Sequence, residues 1–293
     1  MNVGSEDTFN ISRLQKFFAI PISLAVKNNI PKITATILVC GKLAGTSTPK
    51  LLFSKDSEAC MQDRYAGDVG DFVKLGLLRA FSPGRQLGVA WYRFPDESHN
   101  DDGRHISYLN RQEGYEGLDP ELFHHLKDTV SRERSIASLL PVLKDAASAD
   151  DSLDVTGISA KARRAWRQDW FSNVLDQLSA CDLVFADPDN GIIDDQDKRK
   201  GGAKFGKQMP LQEVKILASG RCAVIYHHNT RRKGGHDAEV DFWLEEFGLP
   251  GFAVRAARYS PRTFFVLNPD DEIRKRAKDF CARWAGMRVW LHE

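Results

Sequence analysis

The segment Cys181 to Ala186 is a short apolar run that ends in Asp187-Pro188-Asp189-Asn190-Gly191. Its length and composition are those of a buried strand, and in an open α/β sheet ligands gather where strands end. Two carboxylates and an amide at such an end can hold a substrate and move a proton, so Asp187, Pro188, Asp189 and Asn190 are the first catalytic candidates. The same residues also suit a plain turn, because Asp-Pro and Asn-Gly reverse a chain without any chemistry.

Cationic loops flank these carboxylates. Lys198-Arg199-Lys200-Gly201-Gly202-Ala203-Lys204-Phe205-Gly206-Lys207 follows the turn, and Arg231-Arg232-Lys233-Gly234-Gly235 follows an apolar stretch ending at His227. Two such clusters make an electrostatic funnel for a polyanion, so nucleic acid is the expected partner, with Lys204, His227, Arg231, Arg232 and Lys233 as substrate contacts. His227, His228, His236 and Asp237 also offer metal-type ligands. With Asp187 and Asp189 they define an alternative, a metal-dependent nuclease or phosphoesterase. Neighbouring residues on a strand face opposite ways, so at most one of His227 and His228 joins a common centre, and no residue is assigned to a metal. His124 and His125 fall within an expected helix and read as surface or packing residues.

These groups need a scaffold, and the pattern from Met61 onward supplies one. Phe72, Leu75, Leu77, Leu78 and Phe81 form a helical stripe that stops at Ser82-Pro83-Gly84. A buried strand, Leu87–Tyr92, then leads into a polar loop spanning 93–104, and residues 106–109 suggest a second strand. Helices are expected over 118–130 and 135–143, followed by an Ala/Ser/Asp linker through Ser152. An amphipathic helix over 160–178, with Trp166, Trp170, Val174 and Leu178 in step, precedes the strand of Asp187. Further on come a helix at 211–217, a strand at 222–227, a helix at 238–247, and strands 252–257 and 263–267 joined as an antiparallel hairpin. The expected fold is α/β: a Rossmann-like, mostly parallel sheet flanked by helices and ending in that hairpin. Right-handed crossovers place the exits of the parallel strands along one edge, so Tyr92, Asp187 and His227 should open onto one crevice.

Composition fits this picture. With 293 residues and 42% hydrophobic content, the chain can bury a large core. Its 41 basic and 40 acidic side chains nearly cancel, so affinity for a polyanion must come from local patches. The five cysteines are scattered without a C-x-x-C pair, which argues against a zinc knuckle or a secreted disulfide scaffold and points to the cytoplasm. No apolar run approaches the ~20 residues of a membrane span. Residues 1–60 lack sustained periodicity and read as a poorly structured extension, with Met61 as a plausible true start and 61–293 as the folded domain. The extension is then a translated leader, or else a docking or organelle-targeting arm.

Two stretches carry a family resemblance. Tyr65-Ala66-Gly67-Asp68-Val69-Gly70-Asp71-Phe72-Val73-Lys74-Leu75 resembles the amino-terminal His-Ala-Gly-Asn-x-Ala-Asp-Val-x-Lys-His segment of the large-subunit ribosomal RNA adenine-N6 methyltransferases, and Ala186-Asp187-Pro188-Asp189-Asn190 stands in place of their Asp-Pro-Pro-Tyr motif. The resemblance implies a Rossmann-like enzyme that uses S-adenosylmethionine to methylate a base amino group, with the base flipped out for access. It implies that Asp187 orients or deprotonates the amine. Cofactor contacts would fall at Tyr65, Gly67, Asp68 and Lys74, with Asp96 and Asn100 in the loop after the first strand. Asp189 and Asn190 replace the family's Pro and Tyr, leaving Tyr226 or Phe205 to stack on the base. Leu75 replaces a cofactor-contacting His, and the first strand lacks a glycine-rich turn. A noncatalytic binding module on the same fold is a further alternative.

Overall fold

The computed structural model describes residues 65–95, 103–132 and 134–293. The expected 1–60 extension and its boundary at Met61 lie outside the described residues, as do Asp96 and Asn100.

Helix α1 (Val69–Phe81) begins where the Asp68 side chain accepts hydrogen bonds from the backbone of Gly70 and Asp71, an N-cap that satisfies two otherwise unpaired donors. Its buried residues Phe72, Leu75, Leu78 and Phe81 share one core with strand β1 (Leu87–Tyr92), every residue of which is buried. Next come α2 (Pro120–Ser131), capped by Asp119 with proline in its first turn, and the short α3 (Ile136–Leu139). Strand β2 (Ala147–Ala149), helix α4 (Arg163–Gln177) and strand β3 (Leu183–Pro188) follow. Two short strands, β4 (Ile192–Ile193) and β5 (Met209–Pro210), pair with each other beyond the end of β3. The chain continues through α5 (Leu211–Leu217), β6 (Cys222–His228), α6 (Gly235–Phe247), β7 (Gly251–Ala256), β8 (Arg262–Leu267), α7 (Asp271–Trp284) and β9 (Val289–His292).

Seven strands make one sheet in the order β2-β1-β3-β6-β8-β7-β9. The pairings β2/β1, β1/β3 and β3/β6 are parallel, whereas β8 runs antiparallel to both β6 and β7, and β9 antiparallel to β7. The result is the Rossmann-like, mostly parallel sheet with an antiparallel end that the patterning predicts. Side chains alternate across it. Leu87, Val89, Trp91, Leu183 and Phe185 join the core under α1, α2 and α7; Ala90, Tyr92, Val184 and Ala186 join the one under α4, α5 and α6. Burial on both faces explains why the central strands read as continuous apolar runs, and each large side chain such as Phe185 contributes roughly 1.5–3 kcal/mol.

Three stretches depart from the sequence pattern. Residues 107–110 form a single 3-10 turn rather than a strand, because Tyr108 folds inward onto Phe72 and its hydroxyl donates to the Gly67 carbonyl at 3.0 Å. The linker through Ser152 contains the edge strand β2, whose Ala147-Ser148-Ala149 carries almost no apolar signal. Beyond residue 268, α7 buries Ile273, Ala277, Phe280, Cys281 and Trp284 against α1, and β9 adds the last strand. Among the described residues no helix is long and apolar enough to cross a membrane. Cys181, Cys222 and Cys281 are free, buried thiols.

Candidate active site

Strand β1 has β2 on one side and β3 on the other, so the chain's direction of travel across the sheet reverses between β1 and β3. Crevices for ligands open beyond the carboxyl ends of strands at such a reversal. A cavity of about 340 Å³ lies there, walled by Trp91 from β1, Asp187, Pro188, Asp189 and Asn190 from the end of β3, and Tyr226 and His228 from β6. Tyr65, Asp68, Gly70, Asp71 and Lys74 enter from α1 and the turn before it, and Arg262 from the start of β8. Trp91 sits directly opposite Asp187 in the β1/β3 register.

Lys74 ties these elements together. Its Nζ lies 2.7 Å from Asp187 Oδ2 and 2.8 Å from Asp71 Oδ1, with the Trp91 and Tyr226 rings 5.6 and 5.9 Å away. Burial works against the ammonium, but Asp187 and Asp71 outweigh it and raise the Lys74 pKa, so the cation is fixed in place. Two carboxylates share that one cation. Burial, helped by Asp71 and Asp189 and opposed by Lys74, holds the Asp187 carboxyl above the usual carboxylate range. Oδ2 is committed to Lys74, while Oδ1 makes no hydrogen bond among the described residues. Asp187 therefore combines an anchored oxygen, an available one and heightened proton affinity, the properties of a positioned base. Asp68 is likewise raised, first by burial and then by Asp71, against Arg262.

The turn after β3 is pinned from behind. Asp189 pairs with the buried Lys207 at 3.3 Å, and the Asn190 amide donates to the Lys207 carbonyl at 2.8 Å. Gly191 has φ +76°, and a Cβ there would lie 2.4 Å from His227 Nδ1. That nitrogen accepts from the Ile192 amide at 3.0 Å, which places the ring proton on Nε2, 3.2 Å from Glu239 Oε1. Glu239 also accepts from the Thr230 amide and hydroxyl. Despite the opposing effect of burial, the His227 and Thr230 bonds lower its pKa to about 2.

The cavity thus gathers Tyr65, Asp68, Lys74, Asp187, Pro188, Asp189 and Asn190 from the sequence candidates and leaves others aside. Gly67 is a buried turn residue outside the wall, its amide donating to Asp71 Oδ2 at 3.0 Å. His227, an expected substrate contact, is fully buried on the opposite sheet face with both ring nitrogens engaged; His228 is the member of the pair that reaches the cavity. Lys204, Arg231, Arg232 and Lys233 are exposed and outside the wall, with the Arg232 guanidinium 3.4 Å above the Phe242 ring. Of the two stacking candidates, Tyr226 lines the cavity, whereas Phe205 packs beneath Arg167, 5.5 Å from its guanidinium.

Asp71, Trp91, His228 and Arg262 are cavity residues that sequence reasoning did not assign. Arg262 had one legible signal: the first residue of a strand antiparallel to β6 starts at the edge where β6 ends. Among the described residues no three His, Cys, Asp or Glu side chains converge as a metal site. Fold and cavity together define a Rossmann-like α/β chain with an acidic pocket at its switch point. Comparison with protein-family models and with curated proteins finds no match to this chain.

Proposed function

We propose that this chain is a methyltransferase-like enzyme that binds S-adenosylmethionine in the switch-point cavity and methylates an amino group of a nucleic-acid base. The observation that carries the reading is Asp187, held by Lys74 through Oδ2 at the carboxyl end of β3 with Oδ1 available to an incoming amine. Its raised proton affinity suits hydrogen bonding to that amine and removal of its proton.

The lining also suits the cofactor's charge. Asp68, Asp71, Asp187 and Asp189 outnumber Lys74 and Arg262 in the wall, with Lys207 behind Asp189, so the cavity favours a ligand with net positive character. Gly70 lets Arg262 and Asp68 both approach the backbone at the cavity wall, where any side chain would collide with them. The cofactor would supply an electrophilic methyl group. Asp68, Gly70, Trp91 and Tyr226 would hold it, Lys74 would fix Asp187, and Asp187 would orient the amine. The exposed cations Arg231, Arg232, Lys233 and Lys204 would draw in a phosphate backbone without touching the reacting atoms. Free, buried thiols agree with a cytoplasmic location.

The test is transfer of labelled methyl from S-adenosylmethionine to RNA or DNA. Asp187→Asn should lower the rate by about 10²- to 10⁴-fold, the usual worth of a positioned base, while binding of S-adenosylhomocysteine changes little. Undiminished turnover in that variant would remove Asp187 from the mechanism.

A further inference from the structure

Four Arg and Lys side chains of the described residues are almost wholly buried: Arg167, Lys207, Arg255 and Arg262. Three grip a carboxylate, Arg167 on Glu213 at 2.8 Å, Lys207 on Asp189 at 3.3 Å and Arg255 on Asp237. Arg262 grips none. At 7% exposure it lines the cavity, its Nη2 donates to the Ser260 hydroxyl at 2.6 Å, and its Nε has no partner among the described residues. A buried guanidinium without a hydrogen-bonded anion is costly, and this one borders a cavity.

Gly70 lets the two charges close on one point of the cavity wall. A Cβ on this residue would lie 2.8 Å from Arg262 Nη1 and 2.9 Å from Asp68 Oδ1, so only glycine leaves room for the guanidinium and the carboxylate to press against this backbone, where they form no ion pair with each other. Asp68 Oδ1 is held by the Gly70 and Asp71 amides at 2.7 and 3.0 Å, and cannot swing across to Arg262. A cavity wall that presents a guanidinium and a carboxylate side by side is complementary to a group that carries both charges.

We infer that Arg262, Gly70 and Asp68 form the receptor for an α-amino carboxylate, the ligand's carboxylate on Arg262 and its ammonium toward Asp68. The assignment rests on the proposed cofactor, whose methionine end is such a group. A phosphate would satisfy Arg262 equally well, but the neighbouring Asp68, Asp71, Asp187 and Asp189 repel a second negative charge and favour the zwitterion.

Calorimetric titration of the full chain separates these cases without measuring turnover. The probes are S-adenosylhomocysteine, methylthioadenosine (the same nucleoside without the amino-acid end) and adenosine monophosphate. Wild-type protein should bind S-adenosylhomocysteine roughly 10- to 100-fold more tightly than methylthioadenosine, the range expected for charge-assisted hydrogen bonds. Arg262→Gln should abolish that advantage and leave methylthioadenosine unaffected; Arg262→Lys should restore part of it, and Gly70→Ala should abolish it by displacing the guanidinium. Circular dichroism shows whether each variant is folded, and the wild-type comparison needs no variant. If both adenosyl ligands bind equally and Arg262→Gln changes neither, the receptor is overturned while the cofactor reading survives. If adenosine monophosphate binds instead and loses affinity in Arg262→Gln, Arg262 serves a phosphate and both ideas fall, as they do if no probe binds.

Discussion

Replacing Lys74 with methionine removes the cation that two buried carboxylates share. Its Nζ lies 2.7 Å from Asp187 and 2.8 Å from Asp71, with the Lys74, Asp187 and Asp71 side chains only 11%, 13% and 4% exposed. Breaking a buried pair by deleting one partner costs about 3–5 kcal/mol, a large part of the roughly 5–15 kcal/mol that holds a domain together. Most of that cost is the unpaired charge left behind, so Lys74→Met/Asp187→Asn should be less destabilised than the sum of its single changes by about 2 kcal/mol or more. The loss should also depend on pH. Asp187 already titrates above its ordinary value in the folded state, and without Lys74 it should rise further. A folded-state carboxyl raised above its unfolded value costs stability at neutral pH, and that cost fades as pH falls through the folded value. Urea unfolding of the wild type, both single variants and the double variant at several pH values between neutral and mildly acid measures all of this. A coupling below about 0.5 kcal/mol, or a deficit that does not shrink on acidification, would refute the shared-cation account.

The Glu239 clamp behind the site has the opposite sign. With its folded pKa lowered to about 2 from 4.5, it contributes stability that is complete above 4.5 and lost as pH falls toward 2, about 3 kcal/mol at neutral pH. Glu239→Gln should therefore show its full deficit at pH 7 and converge on the wild type in acid; a gap of equal size at both ends contradicts the pairing. Gly191→Ala forces a left-handed backbone onto an L side chain and drives its Cβ against His227, so a loss of about 2–4 kcal/mol in thermal unfolding is expected; a near-neutral variant would mean the turn can relax. Changing Arg231 and Arg232 to alanine should weaken binding to all nucleic-acid sequences alike and lower the salt slope by about 1 for each phosphate no longer engaged. An unchanged slope would place the nucleic acid elsewhere.

Much of the scaffold was legible because the central strands are buried on both faces and read as apolar runs, and because Ser82-Pro83-Gly84 and the hairpin at Tyr259-Ser260-Pro261-Arg262 punctuate the chain. Asp187 stood out for the same reason, as the carboxylate at the point where such a run stops. Edge strand β2 did not, since three small residues carry no pattern. The Lys74–Asp187 pair was illegible because it joins positions 113 residues apart; sequence spacing shows that Asp71 and Lys74 share a helix face, but not which strand that face meets. His227 was a natural candidate by residue type, and only the strand's alternation, fixed by its neighbours in the sheet, decides that His228 reaches the cavity while His227 supports the turn. Arg262 carried no chemical signal of its own, because being buried and unpaired is a property of the fold.

The cavity beside Asp187 is proposed to hold a sulfonium nucleoside, and a crystal structure of the chain with S-adenosylhomocysteine decides whether it does. Ligand density is expected beside Arg262 and Asp68 at one end and Asp187 at the other, with the thioether sulfur facing the Asp187 carboxylate. Density bound away from Lys74 and Asp187, or an empty cavity at saturating ligand, would rule the proposal out.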